Sequence, residues 1–238
     1  MMTATPVWSS IATTLRGEIS AGQYRPGDRL PTEAALARRF GVNRHTVRHA
    51  LSGLVEDGLI TTRRGAGAFV SRAPTDYPLG RRVRFHQNLA AAGRLPEKRF
   101  LHIETRAADT EETEALALPP NAQVHRVEGV SLADGLPIAH FISTFPAARL
   151  ADLPAHLHRT GSVTQALAAC GIPDYTRAST RLSARRATAL QARHLMLREG
   201  DPVLFSFGIN IDAAGQPVEL GQTAFVGDHV TLSILPEA

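Results

Sequence analysis

The sequence predicts an α+β protein in two parts: an N-terminal winged helix-turn-helix, then a larger antiparallel α+β domain. Three observations predict this. Apolar residues recur at helical spacing in the first third, broken by glycine turns and followed by a glycine-rich hairpin. The positive charge is concentrated there as well: residues 1–72 hold ten arginines against five acids, whereas residues 73–238 carry 16 Lys+Arg against 17 Asp+Glu. Beyond a stretch rich in proline and glycine, alternating strand patterns are joined by hairpin turns, with a few short helices between them.

The first helix spans residues 7–22, with Trp8, Ile11, Leu15 and Ile19 on one face. Thr32 is a good N-cap for LPTEAALARRFG, Glu33 complements the positive end of its dipole, Leu36 and Phe40 point inward and Gly41 ends it. Asn43 caps the next helix, whose inner stripe is Val47, Ala50, Leu51, Leu54 and Val55. Two helices separated by so few residues around a glycine have the spacing of a helix-turn-helix. Strands at Leu59–Thr62 and Ala68–Val70 flank the basic tip Arg63-Arg64-Gly65 and make the wing.

The predicted domains are residues 1–72, a linker at 73–82, and an effector-binding and dimerisation domain at 83–238. In the second domain, strands are expected at Phe100–Thr105, Gln123–Leu132, Ile138–Phe145, Thr176–Ser183 and near Val230–Leu235, with hairpin turns at ADGLP and AAGQ. Helices are expected at TEETEALAL, capped by Asp109, at VTQALAACG, capped by Ser162, and at ARRATALQARHL, where Arg185 and Arg186 would open the helix.

The composition narrows the function. No apolar run approaches the roughly 20 residues that span a bilayer, and the N-terminus lacks a signal-peptide pattern, so a cytoplasmic protein with no membrane partner is expected. One cysteine, Cys170, excludes a disulfide framework and a cysteine zinc site. His45 and His49 have metal-ligand spacing but no third ligand, so no metal is expected. A pyridoxal-phosphate domain would need several hundred residues and a Schiff-base lysine; the single lysine, Lys98, lies in a loop-like stretch. No nucleophilic triad, phosphate loop or paired-carboxylate signature is present, so neither a cofactor nor an enzyme is expected.

A cationic first domain of this shape points to double-stranded DNA. The major groove admits one α-helix, read by the N-terminal half of the second helix of the motif. That half presents Asn43, Arg44, His45, Thr46 and Arg48. Arginine can fork onto guanine, and the threonine methyl can touch thymine. Arg38 and Arg39 would reach phosphates, and Arg63, Arg64 and Gly65 would carry the wing to the backbone or the minor groove.

The run YRPGDRLPTEAALARRFGVNRHTVRHALSGLVEDGLITTRRGAGAFV resembles the DNA-binding domain of GntR-type bacterial repressors, a likeness covering about residues 8–71. It implies a homodimer on a short inverted repeat, with Arg44, Thr46 and Arg48 reading bases or phosphates, Gly65 in the wing, and Glu33 within the same LPTE element. Such relatives more often carry Ser or Thr where this chain has Asn43. The hairpin LADGLPIAHFISTFP and the segment GQPVELGQTAF resemble the chorismate-lyase-like (UTRA) effector domain of the HutC-type subfamily, in which a small, often anionic ligand occupies a pocket. RVRFHQNL and TRLSARRATA resemble the subgroup controlling phosphonate uptake and breakdown. The resemblance implies a repressor released by a phosphonate-like or phosphate effector. A dianion wants guanidinium forks and helix-start amides, which Arg84, Asn88, Arg181, Ser183, Arg185 and Arg186 and the helix start at Ser162 would offer. Ser131, Phe85 and His140 join the pocket candidates, although His140 shares a strand face with Ile138 and Ile142 and also reads as core. Where relatives place arginines before the ADG turn, this chain has Gly129 and Ser131, and an acid is replaced near Phe141, which argues against a plain sugar phosphate. Glu219, at a family pocket position, would hold an ammonium, as in an aminoalkylphosphonate. The alternatives are the same architecture sensing an amino-acid derivative, organic acid or sugar phosphate, and a lyase-like enzyme with a DNA-binding head.

Overall fold

The structure is a computed structural model that describes residues 6–63, 65–71, 74–80, 89–90 and 93–234, with only the backbone of Arg63. The chain divides into two compact units, Met1–Ala73 and Pro74–Ala238.

In the first unit, α1 (Val7–Ser20), α2 (Glu33–Phe40) and α3 (Arg44–Glu56) precede a hairpin of β1 (Ile60–Arg63) and β2 (Gly67–Val70). The caps form as the sequence dictates. Thr32 Oγ1 accepts the Ala35 amide at 3.2 Å, and Asn43 Oδ1 accepts the Thr46 amide at 2.8 Å. Gly41 closes α2 at φ 64°, a left-handed conformation that glycine adopts without penalty. Leu15, Leu36, Val47, Ala50 and Leu54 form the centre of one core. Val55, expected in the inner stripe, is instead exposed, because the stripe drifts around α3 and leaves its last position outside. The chain before α2 also joins the wing: the Leu30 amide bonds the Ala68 carbonyl and the Val70 amide the Asp28 carbonyl, both at 2.9 Å.

The second unit is built on a six-stranded antiparallel sheet, ordered β4-β5-β6-β9-β8-β7. These strands are β4 (Pro96–Ala107), β5 (Gln123–Ala133), β6 (Leu136–Pro146), β7 (Thr176–Arg186), β8 (Pro202–Ile211) and β9 (Pro217–Val226). Between β5 and β6, Asp134 (φ 51°) and Gly135 (φ 76°) supply the two positive φ angles of a tight hairpin turn. Helices α5 (Leu153–Thr160) and α6 (Val163–Ala169) belong to the core on one face, with Phe141 and Phe145. On the other face Leu116, at the end of α4 (Thr110–Ala115), packs with Val124 and Leu220. There too α7 (Ala189–Leu195) contributes Ala192 and Leu195, packed with Ala224.

Three further expectations are corrected. Thr75–Pro78, within the span read as linker, forms a short strand, β3, that pairs in parallel with β10 (Val230–Ser233). The helix expected from Arg185 begins at Ala189, capped by Thr188, and both arginines end β7 instead. The acidic segment TEETEA is not simply a solvated helix start. Glu112 is buried, accepts both Arg106 Nη atoms at 2.8 and 2.7 Å, and closes a capping box with Asp109.

Candidate nucleic-acid interface and ligand cavity

The buried stripe of α3 fixes what the helix can offer outward. With Val47, Ala50 and Leu51 turned into the core, Arg44, His45 and Arg48 are exposed on the N-terminal half. Thr46 is tied to the cap: its hydroxyl donates to Asn43 Oδ1 at 3.0 Å, leaving its methyl for apolar contact. Arg48 forks onto Glu33, Nη2 to Oε2 at 2.8 Å and Nε to Oε1 at 3.2 Å. That hydrogen bond holds the Glu33 carboxyl below the usual carboxylate range. Glu33 therefore steers an exposed arginine of the next helix as well as complementing the dipole of its own.

The other basic candidates differ in availability. Arg38 is exposed. Arg39, expected to face phosphates, is turned onto Glu18 of α1 by two hydrogen bonds, one of 3.0 Å, and would have to exchange that partner to reach DNA. His49 stacks on Trp8 with ring centroids 4.3 Å apart, so it is not directed toward a shared ligand with His45. Gly65 sits exposed at the wing tip with φ 75°. Arg64 and the Arg63 side chain lie outside what the structure describes. Arg29, absent from the expected set, bridges to Phe69 of β2 and runs along that strand toward the wing tip. A Cβ at Gly67 would be 3.1 Å from its Nε.

In the second unit one sheet face and the start of α6 enclose a cavity. Ser131, Ser162 and Glu219, expected there from the sequence, line it. Glu219 is held by two neutral donors, Ser143 Oγ to Oε1 and Asn210 Nδ2 to Oε2, each at 2.6 Å. Ser162 uses its hydroxyl as the N-cap of α6. Phe141 also lines the wall, and its ring fills the space above Gly129: a Cβ there would be 2.6 Å from Phe141 Cζ. The glycine and the phenylalanine are thus a matched pair, and no larger side chain fits at position 129 without displacing that ring.

Five candidates fall elsewhere. Strand parity explains His140, which points away from the cavity, donates from Nε2 to Glu128 Oε1 at 2.9 Å and stacks on His194 of α7. Burial lowers its pKa against the pull of Glu128. A bulge between Arg177 and Ser179 explains Arg181, Ser183 and Arg185. It reverses which residues of β7 face the cavity, so Arg181 and Arg185 lie over Phe207 and Phe205 on the opposite face, at 4.4 and 3.7 Å. Ser183 accepts from Arg185 Nε at 3.2 Å, and Arg186 ends the strand near Gly200. Arg84, Phe85 and Asn88 lie outside the described residues.

Two cations on the wall were missed by sequence reasoning. Lys98, read as a loop residue, lies on β4 opposite Ser131, with Nζ 4.3 Å from the Phe141 centroid. Burial lowers its pKa, and Glu219 partly counters this. Arg177 lines the far side, at the start of β7. The alternation of PEKRF, with Lys98 and Phe100 on one face, was a usable signal for the first; none was available for the second. Among the described residues, no group of three or more His, Cys, Asp or Glu could hold a metal, and no helix is long and apolar enough to cross a membrane.

Residues 8–70 match the family model described as bacterial regulatory proteins, gntR family, and residues 91–231 match the UTRA domain. The chain is similar to an uncharacterized HTH-type transcriptional regulator of Rhizobium meliloti, 39% identical over 96% of this chain and 94% of that one. It is similar also to the probable transcriptional regulator PhnF of Escherichia coli, 34% identical over 95% and 94%. A third relative is the HTH-type transcriptional repressor NagR of Bacillus subtilis, 27% identical over 95% and 93%. Among solved structures, the crystal structure of PhnF from Mycobacterium smegmatis matches with a TM-score of 0.65 and 25% identity, over 98% of this chain and 99% of that one.

Proposed function

The chain belongs to the GntR family of bacterial regulatory proteins and carries a UTRA domain, and from that premise we propose a homodimeric repressor of phosphonate uptake and breakdown genes, released from its operator by a small phosphonate-like anion. The DNA-binding head and the small-molecule domain make it a transcriptional regulator rather than an enzyme, as its relatives are named.

The observation that carries the DNA side is the α3 surface: Arg44, His45 and Arg48 stand exposed over a fully buried stripe. Two such heads in a dimer would meet successive major grooves of an inverted repeat about one turn apart. Arg38, and Arg39 once it leaves Glu18, would take phosphates, and the wing with Arg63, Arg64 and Gly65 would follow the backbone.

For the effector side, support comes from the charged cavity, from the likeness to proteins named PhnF, and from the sequence resemblance to phosphonate regulators. Ser131 and Ser162 offer hydroxyls to an anion, and Glu219 offers an acceptor to an amine. Arg84, Phe85 and Asn88 remain candidates for the same site from the sequence. Tyr77, on β3, lines the cavity too, and β3 follows directly on the end of the first unit. A ligand that favours one setting of that strand would shift the dimer toward a state whose heads no longer match the operator.

Fluorescence anisotropy on a fragment from upstream of the chain's own gene tests this. Tight binding that ethylphosphonate or 2-aminoethylphosphonate reverses is expected. Reversal by a sugar phosphate, an amino-acid derivative or a carboxylate instead would replace the phosphonate reading, and release by none would remove the inducer model.

A further inference from the structure

We propose that Arg177 is the anchor for the effector's anionic head group and that Gly208 is the positioning residue that aims it; this rests on reading the cavity as the effector site.

Arg177 pairs with Asn210 across β7 and β8, on the cavity side of the bulge. Its guanidinium is laid across Gly208: a Cβ there would be 1.5 Å from Nη1 and 2.7 Å from Cζ. The neighbour of Gly208 on β9 is Gly221, so the floor beside the guanidinium is bare backbone. Arg177 Nε is buried with no hydrogen-bond partner, and Arg177 makes no salt bridge with any described residue. Guanidinium N–H groups taken out of water are almost always paired, because an unmade bond there forfeits the hydration it replaced.

The second cation behaves differently. Lys98 sits over Phe141 and is drawn by Glu219, so its charge attracts an anion to the cavity but is partly offset by the wall. Arg177 has no such partner among the described residues, and its buried Nε makes no hydrogen bond. A guanidinium fork matches two oxygens of a phosphonate, phosphate or carboxylate head, and a phosphonate offers three. The bulge that turns Arg181 and Arg185 outward leaves Arg177 as the arginine of β7 that lines the cavity. The strand thus delivers one aimed guanidinium.

Titration calorimetry of the full chain with ethylphosphonate and with inorganic phosphate tests the assignment. Arg177→Ala should weaken ethylphosphonate binding about 10- to 150-fold, the range for a charged hydrogen-bonded anchor. Arg177→Lys, which keeps the charge and loses the fork, should fall between. Gly208→Ala should weaken binding by a similar factor, since the new methyl takes the place of the guanidinium. The double variant should then be no weaker than Arg177→Ala beyond about twofold, because both changes remove one interaction. Operator binding without effector checks that each variant is folded; should Gly208→Ala fail that check, the two Arg177 variants decide. Wild-type binding with Arg177→Ala within about twofold overturns the anchor and leaves the effector reading standing; strictly additive losses in the double variant overturn the role of Gly208. Wild-type protein that binds neither anion overturns both.

Discussion

Replacing Glu219 by glutamine separates an amine-recognising carboxylate from a merely structural one. The side chain is 8% exposed, and each oxygen already accepts one hydrogen bond, from Ser143 or Asn210. A carboxylate has about four acceptor positions, so about two stay open to the cavity. Glutamine keeps the shape: its carbonyl can accept from Asn210, and its amide can donate to Ser143, whose hydroxyl turns to accept. The change in stability should stay within about 2 kcal/mol, as removal of a buried charge offsets both the weaker hydrogen bonds and the attraction lost by Lys98, whose pKa burial already lowers. A ligand ammonium held by the carboxylate is worth about 1.5–3 kcal/mol, or about 10- to 150-fold in Kd. In calorimetry, Glu219→Gln should weaken 2-aminoethylphosphonate by that factor and leave ethylphosphonate unchanged or tighter, since a repelling charge has gone. Equal losses for the two ligands would make Glu219 a structural residue, and no loss for the aminated ligand would place the amine elsewhere.

Other consequences are as specific. Arg44→Ala should cost about 1–3 kcal/mol of operator affinity and relax one base position; unchanged preference across operator variants would remove Arg44 from reading. Burial would raise the Glu112 pKa, but the bonds from Arg106, the Asp109 amide and Thr144 hold it below the carboxylate range. Its contribution to stability is thus present above the unfolded value of about 4.3 and lost as pH falls through the lower folded value. The Tm gap between wild type and Glu112→Gln should close in acid; a gap constant with pH would refute the ion pair. Because burial lowers the Lys98 pKa, its charge is lost before the ordinary lysine range is reached as pH rises. Phosphonate affinity should decline on that limb in wild type and hold in Lys98→Arg.

The DNA-reading head was largely legible because its determinants are local. Thr32 and Asn43 announce helix starts through chemistry within one turn, and both caps form. The inner stripe of α3 follows from helical periodicity, apart from Val55 at its end. What the periodicity could not show is pairing among exposed charges: Arg39 with Glu18 and Arg48 with Glu33 join residues 21 and 15 positions apart. The cavity was legible only in part. Ser131 and Glu219 sit on strands whose hairpins are marked in the sequence, and alternation puts His140 with Ile138 in the core. Arg177 and Arg181, four apart, would share a face on a regular strand. One bulge with no sequence signature of its own sends them to opposite faces, and so moved the expected arginines out of the site. Lys98 and Arg177 come from strands at the two edges of the sheet, a meeting that depends on strand order rather than on any local pattern.

If a cationic helix face, repeated in a dimer, enters the grooves of a duplex, operator affinity should fall steeply with salt. Operator affinity measured from about 50 to 200 mM salt tests it most directly. With about four phosphates per half-site, the log–log slope should be near −7. A slope near zero would contradict it.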